Sequence, residues 1–356
     1  MTKQKKIAIL CNYELLPERI GGMDYFFWSF DKRCKEKGIH VDWFFPNQSC
    51  HGEYATLTVY SSGYESVENY FLTYCKVNKT EYTHIITHFI ELCTPFFKKI
   101  KFFSNAEIIV VDHNPRPLKG YSLKKRIEKR IKGILFSRYI NLFVAVSDYT
   151  KKAIMADFGF FIKKKISVIS NGLDVVKFNR KNNFTSNNYF IVASHLRREK
   201  GIQDLILAVK DLKSFDFKID IYGKGYFEGE LKKMIHDFDL QKFFNFKGSI
   251  SNLNEIYCNY DYLIHPSHGE TFCYTVVEGL MSNLPVITTR NQGNVLGLVI
   301  ENTNGFLFEE KNVVDLKGIL ENILTGKSQI GENPKNRNLE SFTLEKMVNN
   351  YLELIL

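Results

Sequence analysis

The 356-residue sequence has no apolar run of about 18 residues, the length at which a transmembrane helix becomes a candidate. Its first apolar run, Ile7–Cys11, has only the length of a buried strand, so we expect neither a membrane span nor a secretory signal peptide. The seven cysteines include no Cys-x-x-Cys pair and no metal-ligand spacing. We therefore predict free thiols in a reducing cytoplasm and no metal site.

Negative charge is comparatively scarce, with 39 aspartates and glutamates against 48 lysines and arginines. The formal net charge of +9 indicates an anionic partner, which could be nucleotide phosphate, anionic lipid or nucleic acid. Because the sequence has no recognisable nucleic-acid-binding module, we expect no nucleic-acid partner. Charge alone does not distinguish nucleotide phosphate from anionic lipid as the partner.

Short apolar segments alternate with helical patterns, which predicts parallel sheets of the doubly wound α/β class. A length of 356 residues favours two domains. We place them at residues 1–175 and 186–338, and the polar, turn-prone segment 179–188 is interpreted as the linker. The predicted strands are Lys6–Leu10, Val41–Phe45, His84–Thr87, Glu107–Val111, Leu142–Val146, Ile166–Ile169, Phe190–Ala193, Lys218–Tyr222, Phe243–Phe246, Tyr262–Ile264, Val286–Thr289 and Gly305–Phe308.

The segment from Pro266 to Thr289 carries the most informative pattern. Glu270 and Glu278 flank a turn that opens a short helix, predicted to end where Asn283 adopts a left-handed conformation. Backbone N–H groups at a helix start bind phosphate, and nearby carboxylates accept hydrogen bonds from sugar hydroxyls. The pattern therefore predicts a site for a phosphorylated sugar. An ordinary strand–helix–strand unit with two surface carboxylates is the alternative.

Two segments of the first half also follow predicted strands. Gly21 and Gly22 precede a helix predicted at Met23–Lys37, and glycines there let the backbone approach a ligand closely. A plain turn is the alternative. His113 follows the strand that ends near Asp112. A histidine at a strand end can hydrogen-bond a sugar or shuttle a proton, and a structural histidine is the alternative.

Cations cluster after the predicted strand Phe190–Ala193, in the segment that runs from His195 to Gly201. A cation at a strand end can neutralise a leaving diphosphate, and such electrostatic stabilisation contributes strongly to phosphate chemistry. The segment offers Arg197, Arg198 and Lys200 for this role. For the two arginines, a solvated charged turn is the alternative.

Taken in order, these segments resemble the retaining nucleotide-sugar glycosyltransferases of the GT-B fold, family 4, also described as glycosyl transferases group 1. The resemblance covers nearly the whole chain, and the order of the segments is more specific than any one of them. Further matching segments are Lys37–Val41, Val146–Thr150, Ser170–Asp174 with Phe178, Gly223–Gly225 and Gly248–Ile250.

The resemblance implies an α/β protein with two doubly wound, Rossmann-like domains that face each other across a cleft. The first domain would bind the acceptor, and a last helix at about 340–356 would pack back on it. The second would bind the donor. The implied reaction is retaining, metal-independent transfer from a nucleotide sugar, with a UDP-sugar favoured over a GDP-sugar, to a glycan or polyprenyl-diphosphate-linked acceptor. No cofactor is implied, and the expected setting is bacterial cell-envelope polysaccharide synthesis.

The resemblance also assigns residues. Glu270 would hold hydroxyls of the donor sugar, Glu278 the ribose, and His113 would contact the sugar from the first domain. Lys200, with His195 and the N–H groups of 272–275, would stabilise the departing diphosphate. The residues implied to be catalytic are Glu270, His113 and Lys200. Those implied to bind the donor are Gly21, Gly22, His195, Arg198, Ser249, Ile250, Phe272, Cys273, Tyr274, Thr275 and Glu278.

Three departures from the family pattern bear on this site. His195 stands where the family usually has arginine, so either His195 binds as a cation or Arg197 or Arg198 substitutes. Cys273 stands in the family's Glu-Gly-Phe-Gly/Pro core, where it still offers its backbone N–H. The loop at 291–297 has no carboxylate where many relatives carry one. The missing arginine motivates the alternative of a GT-B-like scaffold that binds a nucleotide sugar without turning it over.

A basic helix is predicted at 119–139, with Ile127, Ile131, Ile134 and Leu135 at helical spacing. We expect these apolar residues to pack on the core and the basic face to be solvated. The alternative is a face that lies on anionic lipid, which would place a cytoplasmic protein at the inner face of the membrane. Asp237-Phe-Asp239 imitates a metal motif but follows a helical run, and we assign it no metal.

Overall fold

The computed structural model describes residues 5–17, 20–184, 187–330, 334, 336 and 338–356. The chain divides into two compact units. The first comprises Met1–Gly172 and Thr343–Leu356, and the second comprises Leu173–Phe342. Each contains one sheet of parallel strands with helices between successive strands, which confirms the predicted doubly wound α/β class.

The sheet of the first unit has seven parallel strands in the order β3-β2-β1-β4-β5-β6-β7. These strands are β1 (Lys6–Cys11), β2 (His40–Phe45), β3 (Thr58–Ser61), β4 (His84–His88), β5 (Glu107–Asp112), β6 (Leu142–Ala145) and β7 (Ile166–Val168). The helices are α1 (Gly22–Glu36), α2 (Val67–Asn78), α3 (Pro95–Ile100), α4 (Leu123–Phe136) and α5 (Asp148–Phe158), with a last helix at Leu344–Glu353.

The central strands of this sheet are covered on both faces. Ile7, Ala8, Ile9 and Leu10 of β1 are all buried, which explains why the strand is a continuous apolar run and does not alternate with polar residues. The last helix joins the same unit, because the ring of Tyr351 lies 4.8 Å from that of Phe26 in α1. Aromatic packing of this kind adds specificity to the apolar burial.

The sheet of the second unit has six parallel strands in the order β10-β9-β8-β11-β12-β13. These strands are β8 (Tyr189–Ala193), β9 (Lys218–Tyr222), β10 (Phe244–Gly248), β11 (Tyr262–His265), β12 (Val286–Thr289) and β13 (Gly305–Phe308). The helices are α6 (Ile202–Val209), α7 (Glu228–Asp237), α8 (Leu253–Ile256), α9 (Tyr274–Met281), α10 (Gln292–Val295) and α11 (Val313–Leu324), so the last helix of the chain is α12. The order reverses at β8 and β11, the point where such sheets bind ligands.

The segment 179–188, predicted to be a linker, packs instead on the second unit. The backbone N–H of Lys181 donates to the Ser282 carbonyl at 2.8 Å, and its ammonium donates to the Tyr260 carbonyl at 2.6 Å. The same ammonium lies 3.3 Å from the Asp261 carboxylate. A polar segment thus finds partners on the domain surface, while 185 and 186 lie outside the described residues. The chain passes between the units at 172–173 and 342–343.

Candidate functional site

Two loops at the carboxyl edge of the second sheet bring Lys200 and Glu270 into contact. Lys200 ends a short 3-10 turn after β8, and Glu270 lies in the loop between β11 and α9. The Lys200 ammonium donates a hydrogen bond to Glu270 Oε1. Ser267 Oγ donates to the same oxygen at 3.0 Å, and His265 Nε2 lies 3.6 Å from it. Three groups therefore converge on one carboxylate oxygen.

The electrostatics of this contact keep Glu270 ionised. Burial raises the pKa of the Glu270 carboxyl, but the hydrogen bond with His265 and the charge of Lys200 outweigh it and hold that pKa at about 2. Burial lowers the pKa of His265 below its usual value. No side chain in the described part of the chain donates to Glu270 Oε2. The carboxylate can thus accept a hydrogen bond from a ligand while Lys200 holds its other oxygen.

A glycine allows these two loops to meet. Gly201 has φ +71°, and a Cβ added there would lie only 2.0 Å from the Pro266 carbonyl oxygen. Behind it, the His268 backbone N–H donates to the Glu199 carbonyl at 2.9 Å. Any residue with a Cβ at 201 would push the loop that carries Lys200 away from the loop that carries Glu270.

A pocket of about 240 Å³ lies at the same edge of the second sheet, at the carboxyl ends of β8 and β9. Gly223, with φ +125°, lets the loop after β9 approach the loop after β8, because a Cβ there would lie 1.9 Å from the Ser194 carbonyl oxygen. Five residues that the family resemblance assigned to the donor line the pocket. They are His195, Ser249, Ile250, Thr275 and Glu278.

Glu278 lies in this pocket with a partner that the sequence did not indicate. Tyr257 donates its hydroxyl to Glu278 Oε2 at 2.8 Å. Burial raises the pKa of Glu278, and the hydrogen bond from Tyr257 partly offsets that rise. Thr275 Oγ1 donates to the Ala193 carbonyl at 3.2 Å, which fixes the start of α9 to the end of β8. The contact of Tyr257 with Glu278 joins residues distant in sequence, so no local pattern could reveal it.

Helix α9 begins at Tyr274, and its first backbone N–H groups have no carbonyl one turn earlier in the helix. Cys273 is the residue just before this start, and its side chain makes no capping hydrogen bond. Its sulfur lies 3.1 Å from His265 Nε2. Phe272 is buried, with its ring 5.9 Å from that of Phe342, so its side chain is part of the core. Only its backbone is available to a ligand.

The structure separates the three basic residues His195, Arg197 and Arg198. His195 lines the pocket, whereas Arg197 is exposed and lies 3.8 Å from Glu199. Arg198 is also exposed, and its backbone N–H donates to the Tyr226 hydroxyl at 3.4 Å. Of the three, His195 is therefore the residue at the pocket wall.

Gly21 and Gly22 lie at the start of α1 in the first unit. Gly21 is extended at φ −147°, a conformation that any residue adopts, and a Cβ there would contact nothing within 4 Å. Its N–H donates to Asp24 Oδ2 at 2.9 Å. The backbone therefore does not require glycine at position 21, although the open space there leaves room for a ligand.

His113 is buried after β5 and is paired with a second histidine. Its Nε2 lies 3.0 Å from Nδ1 of His88, and its ring stacks on Phe89 at 4.3 Å. Burial lowers the pKa of His113 to about 4 and that of His88 well below its usual value, so both rings are neutral at pH 7. His88 ends β4, the strand next to β5. The argument that selected His113, a histidine at the end of a strand, would therefore also have selected His88.

Arg116 ties together the carboxyl edge of the first sheet. It forms a two-pronged contact with Asp112, with Nη2 2.7 Å from Oδ2, and its Nε donates to Asp157 at 2.9 Å. A cavity of about 440 Å³ opens beside it, lined also by Phe89 and Tyr121. The sequence interpretation missed Arg116, because its two carboxylate partners lie on different elements.

Other predictions concern single features of the chain. All seven cysteines are free thiols. Asp237 ends α7, and among the described residues no three histidine, cysteine or acidic side chains are arranged to hold a metal ion. In the described part of the chain, no helix is long and apolar enough to cross a bilayer.

Residues 176–340 match the family model described as glycosyl transferases group 1. The second unit is a group 1 glycosyltransferase domain. The match spans nearly all of Leu173–Phe342, so the group 1 domain contains both the Lys200–Glu270 contact and the 240 Å³ pocket. The resemblance to the glycosyl transferases group 1 is thereby confirmed for this part of the chain.

Relatives of the chain include staphylococcal enzymes. The poly(ribitol-phosphate) alpha-N-acetylglucosaminyltransferase of Staphylococcus aureus is 21% identical over 79% of this chain and 61% of its own length. The capsular polysaccharide biosynthesis glycosyltransferase CapM of Staphylococcus aureus is 24% identical over 67% of this chain and 72% of its own length. The match to a UDP-N-acetylglucosamine–peptide N-acetylglucosaminyltransferase subunit of Streptococcus gordonii, at 31% identity, spans only 23% of that relative. The chain thus spans less than two thirds of the first and third of these.

Solved structures match over the whole chain. HepE of Anabaena, solved with UDP, has 17% identity, a TM-score of 0.75 and coverage of 98% of this chain and 99% of its own. A glycosyltransferase of Rickettsia africae has 18% identity and a TM-score of 0.73, with coverage of 99% of this chain and 98% of its own. At such identities the likeness shows the fold alone. The chain that carries the group 1 domain has the GT-B fold.

Proposed function

We propose that the protein is a retaining, metal-independent glycosyltransferase. It moves a hexosyl or N-acetylhexosaminyl group from a nucleotide sugar to a glycan or polyprenyl-diphosphate-linked acceptor. The observation that carries this proposal is the contact between Lys200 and Glu270, at the same edge of the second sheet as a pocket lined by Glu278. The staphylococcal relatives named for poly(ribitol-phosphate) and capsule synthesis support a role in cell-envelope polysaccharide synthesis. HepE, solved with UDP, supports a UDP-sugar as donor.

The donor chemistry follows from the charges of the site. Lys200, the cation that contacts Glu270, would neutralise the departing diphosphate, and the N–H groups at the start of α9 would bind the same phosphates. Glu270, ionised and with Oε2 open, accepts hydrogen bonds from the donor sugar. Glu278 accepts from the ribose, with Tyr257 orienting its carboxylate. None of these groups needs to be a nucleophile, so retention is assigned to attack on the same face, assisted by the leaving phosphate.

The acceptor is assigned to the first unit. Its candidate site is the cavity of about 440 Å³, where Asn12 and Asn114 offer amides and Phe89 and Tyr121 offer ring faces. Side chains of this mixture suit a sugar, which has both hydroxyls and apolar C–H faces. The contact of residues 119–139 with an anionic membrane, at its cytoplasmic face, belongs to the same proposal and is argued below.

His113 is proposed, on the family resemblance, to hydrogen-bond the transferred sugar, and His88 then fixes its proton. The Nε2 atom of His88 is buried without a hydrogen-bond partner in the described part of the chain. Because an unpaired buried acceptor is tolerated better than an unpaired donor, Nε2 is the bare nitrogen and Nδ1–H donates to His113 Nε2. The proton of His113 is therefore on its Nδ1.

Replacing His88 by asparagine should preserve transfer, because the asparagine amide lies where Nδ1 was. His88→Gln places its amide at the Nε2 position and should lower kcat about tenfold, the worth of one hydrogen bond, with donor KM unchanged. Ring ¹⁵N shifts of His113 should report an Nδ1–H tautomer in the wild type and in His88→Asn. Equal losses in the two variants, or a wild-type Nε2–H tautomer on His113, would contradict this role.

A second candidate function is a nucleotide-sugar-binding scaffold without turnover. The observation that favours it is His195 at the pocket wall in place of the family arginine. A guanidinium is always charged and offers a planar fork of donors to phosphate, which an imidazole does not. The retained Lys200 and Glu270 argue for the enzyme.

The test is thermal shift and donor hydrolysis with a panel of UDP-, GDP- and ADP-sugars, in the presence of EDTA. We expect one UDP-sugar to stabilise the protein and to release its diphosphate slowly. Stabilisation without release, even when glycan and lipid-linked acceptors are added, would favour the scaffold. If no nucleotide sugar stabilises the protein, the assignment of the donor site to the second unit would be wrong.

A further inference from the structure

Helix α4 presents its apolar side to the outside of the first unit. Leu123, Ile127, Ile131 and Ile134 are 71%, 53%, 50% and 60% exposed. At spacings of three and four residues they share one face of the helix. The buried residues of α4 are Lys129 and Gly133. The expectation that the isoleucines pack on the core is therefore wrong.

The inward contacts of α4 explain this orientation. The Lys129 ammonium lies 3.3 Å from the Asp157 carboxylate and 4.6 Å from the ring centre of Tyr121. Gly133 touches the backbone of α5, since a Cβ there would lie 2.2 Å from the Phe158 carbonyl oxygen. Rotating the helix to bury its isoleucines would break the ion pair and replace the glycine contact by a clash. The outward apolar face is thus fixed by packing.

The apolar surface extends beyond the helix. Phe160 and Phe161, in the 3-10 turn Phe160–Lys165, are 72% and 60% exposed. Phe161 adjoins α4, because a Cβ added at Gly159 would lie 2.3 Å from its ring and 2.9 Å from the Arg130 guanidinium. We use the term outer face for the exposed side of α4 together with Phe160 and Phe161.

Positive charge predominates around the outer face, where Lys132 also pairs with Glu91 at 2.8 Å. Residues 123–136 contain six lysines and arginines and a single acid, Glu128. That acid is already neutralised, because its Oε1 lies 3.0 Å from Lys125 and 2.9 Å from Lys132. Lys124 and Arg126 flank the isoleucines and have no acidic partner among the described residues. A second copy of this face would be repelled, whereas an anionic surface would be attracted.

We propose that the outer face docks on the anionic surface of a lipid bilayer. Apolar side chains beside lysines and arginines suit the boundary between acyl chains and phosphate headgroups. There the apolar side chains insert among the acyl chains, and the lysines and arginines contact phosphate. A purely electrostatic contact would not need four exposed aliphatic residues on one face of a helix. A purely apolar partner would not need the cations. This gives the membrane contact of the proposed function a defined surface, and it stands apart from the donor chemistry.

The test is cosedimentation of the full chain with two kinds of vesicle, at low and high salt. One kind is phosphatidylcholine alone, and the other contains about one third phosphatidylglycerol. We expect binding to the anionic vesicles, weakened by salt, and at least about a tenfold loss for the double variant Ile127→Ser, Ile131→Ser. Val314→Ser is the matched control, because Val314 is 79% exposed on α11 of the second unit. It should bind as the wild type does.

Two further variants separate insertion from adsorption. Lys124→Glu with Arg126→Glu should also lose binding, whereas Lys233→Glu on α7 should not. Ile131→Trp should show a blue-shifted tryptophan emission on anionic vesicles only. Equal binding to both vesicle types, no binding to either, or serine variants that bind as tightly as the wild type would overturn the proposal. Binding to an acidic polypeptide in preference to vesicles would assign the face to a protein partner and overturn it as well.

Lipid-free measurements distinguish this proposal from the donor site. The serine variants should keep the nucleotide thermal shift and donor hydrolysis of the wild type in solution, since the outer face belongs to the first unit and the pocket to the second. If the vesicle result fails while the nucleotide result holds, only the docking surface is lost. If the nucleotide result alone fails, only the donor assignment is lost.

Discussion

Lys200→Ala should lower the rate of sugar transfer by about 100- to 1000-fold, the usual cost of removing one preorganised charge from a departing group. The substitution removes the cation that holds Glu270 Oε1 and would face the diphosphate. It leaves Glu270 with only His265 and Ser267 as partners. The measurement is initial-rate kinetics with saturating donor, together with the thermal shift given by the nucleotide.

Lys317→Ala is the matched control, because Lys317 forms an exposed ion pair with Asp211 at 2.9 Å in the same unit. Such exposed pairs contribute little to stability, so rate and stability should remain near those of the wild type. Transfer by Lys200→Ala at the wild-type rate would exclude Lys200 from catalysis. A loss in both variants would indicate general damage to the unit.

The same substitution should change how stability depends on pH. The pKa of Glu270 is held at about 2, below its usual 4.5, so its pairing stabilises the folded state above pH 4.5. That contribution is lost as pH falls from 4.5 toward 2. The difference in melting temperature between wild type and Lys200→Ala should therefore be largest at neutral pH and shrink over this interval. A difference that grows with acidity would contradict the assignment.

Gly201→Ala should lower the free energy of unfolding of the second unit by about 2–4 kcal/mol, from an unfavourable left-handed alanine and overpacking together. The added Cβ would lie 2.0 Å from the Pro266 carbonyl oxygen, and a backbone atom cannot move aside as a side-chain end can. Because the loop must shift, Lys200 separates from Glu270 and transfer should fall as well. Chemical denaturation and initial rates measure the two effects.

The control for this variant is Gly318→Ala. Gly318 lies inside α11, where an added Cβ meets nothing within 4 Å. Alanine there should stabilise the unit by about 0.5–1 kcal/mol, because glycine is the poorer helix former. If Gly201→Ala were as stable as Gly318→Ala, the close approach of the two loops would not be a constraint on the site.

Sequence patterns predicted the strands well where both faces are buried. Ile7–Leu10 is a continuous apolar run because helices cover both faces of β1. The edge strand β3, Thr58–Ser61, was missed because its four residues are all half-buried and mix polar with apolar types. Asn283 does adopt the predicted left-handed conformation, at φ +56°. It was predictable because asparagine tolerates this conformation and Pro285 cannot continue a helix.

The orientation of α4 could not be predicted, for a different reason. Periodicity tells which residues share a face of a helix but not which face is turned inward. Here the choice depends on Lys129 finding Asp157 and on Gly133 meeting the backbone at Phe158, contacts between separate elements. The same limit applies to Tyr257, whose hydroxyl reaches Glu278 only once β11 and α9 have folded. Motifs supplied the candidate residues, and tertiary contacts decided their partners.

Cys273, at the start of α9, bears on the electrostatic potential that a phosphate bound there would experience. A thiol at a helix start usually ionises more readily, and a thiolate there would cancel the positive end of the helix dipole. Burial instead raises the pKa of Cys273 well above its usual value, so the sulfur remains an uncharged thiol. The departure from the family pattern at position 273 therefore removes no positive potential from the helix start. If a diphosphate binds there, it would meet the same attraction that a glycine at position 273 would have left in place.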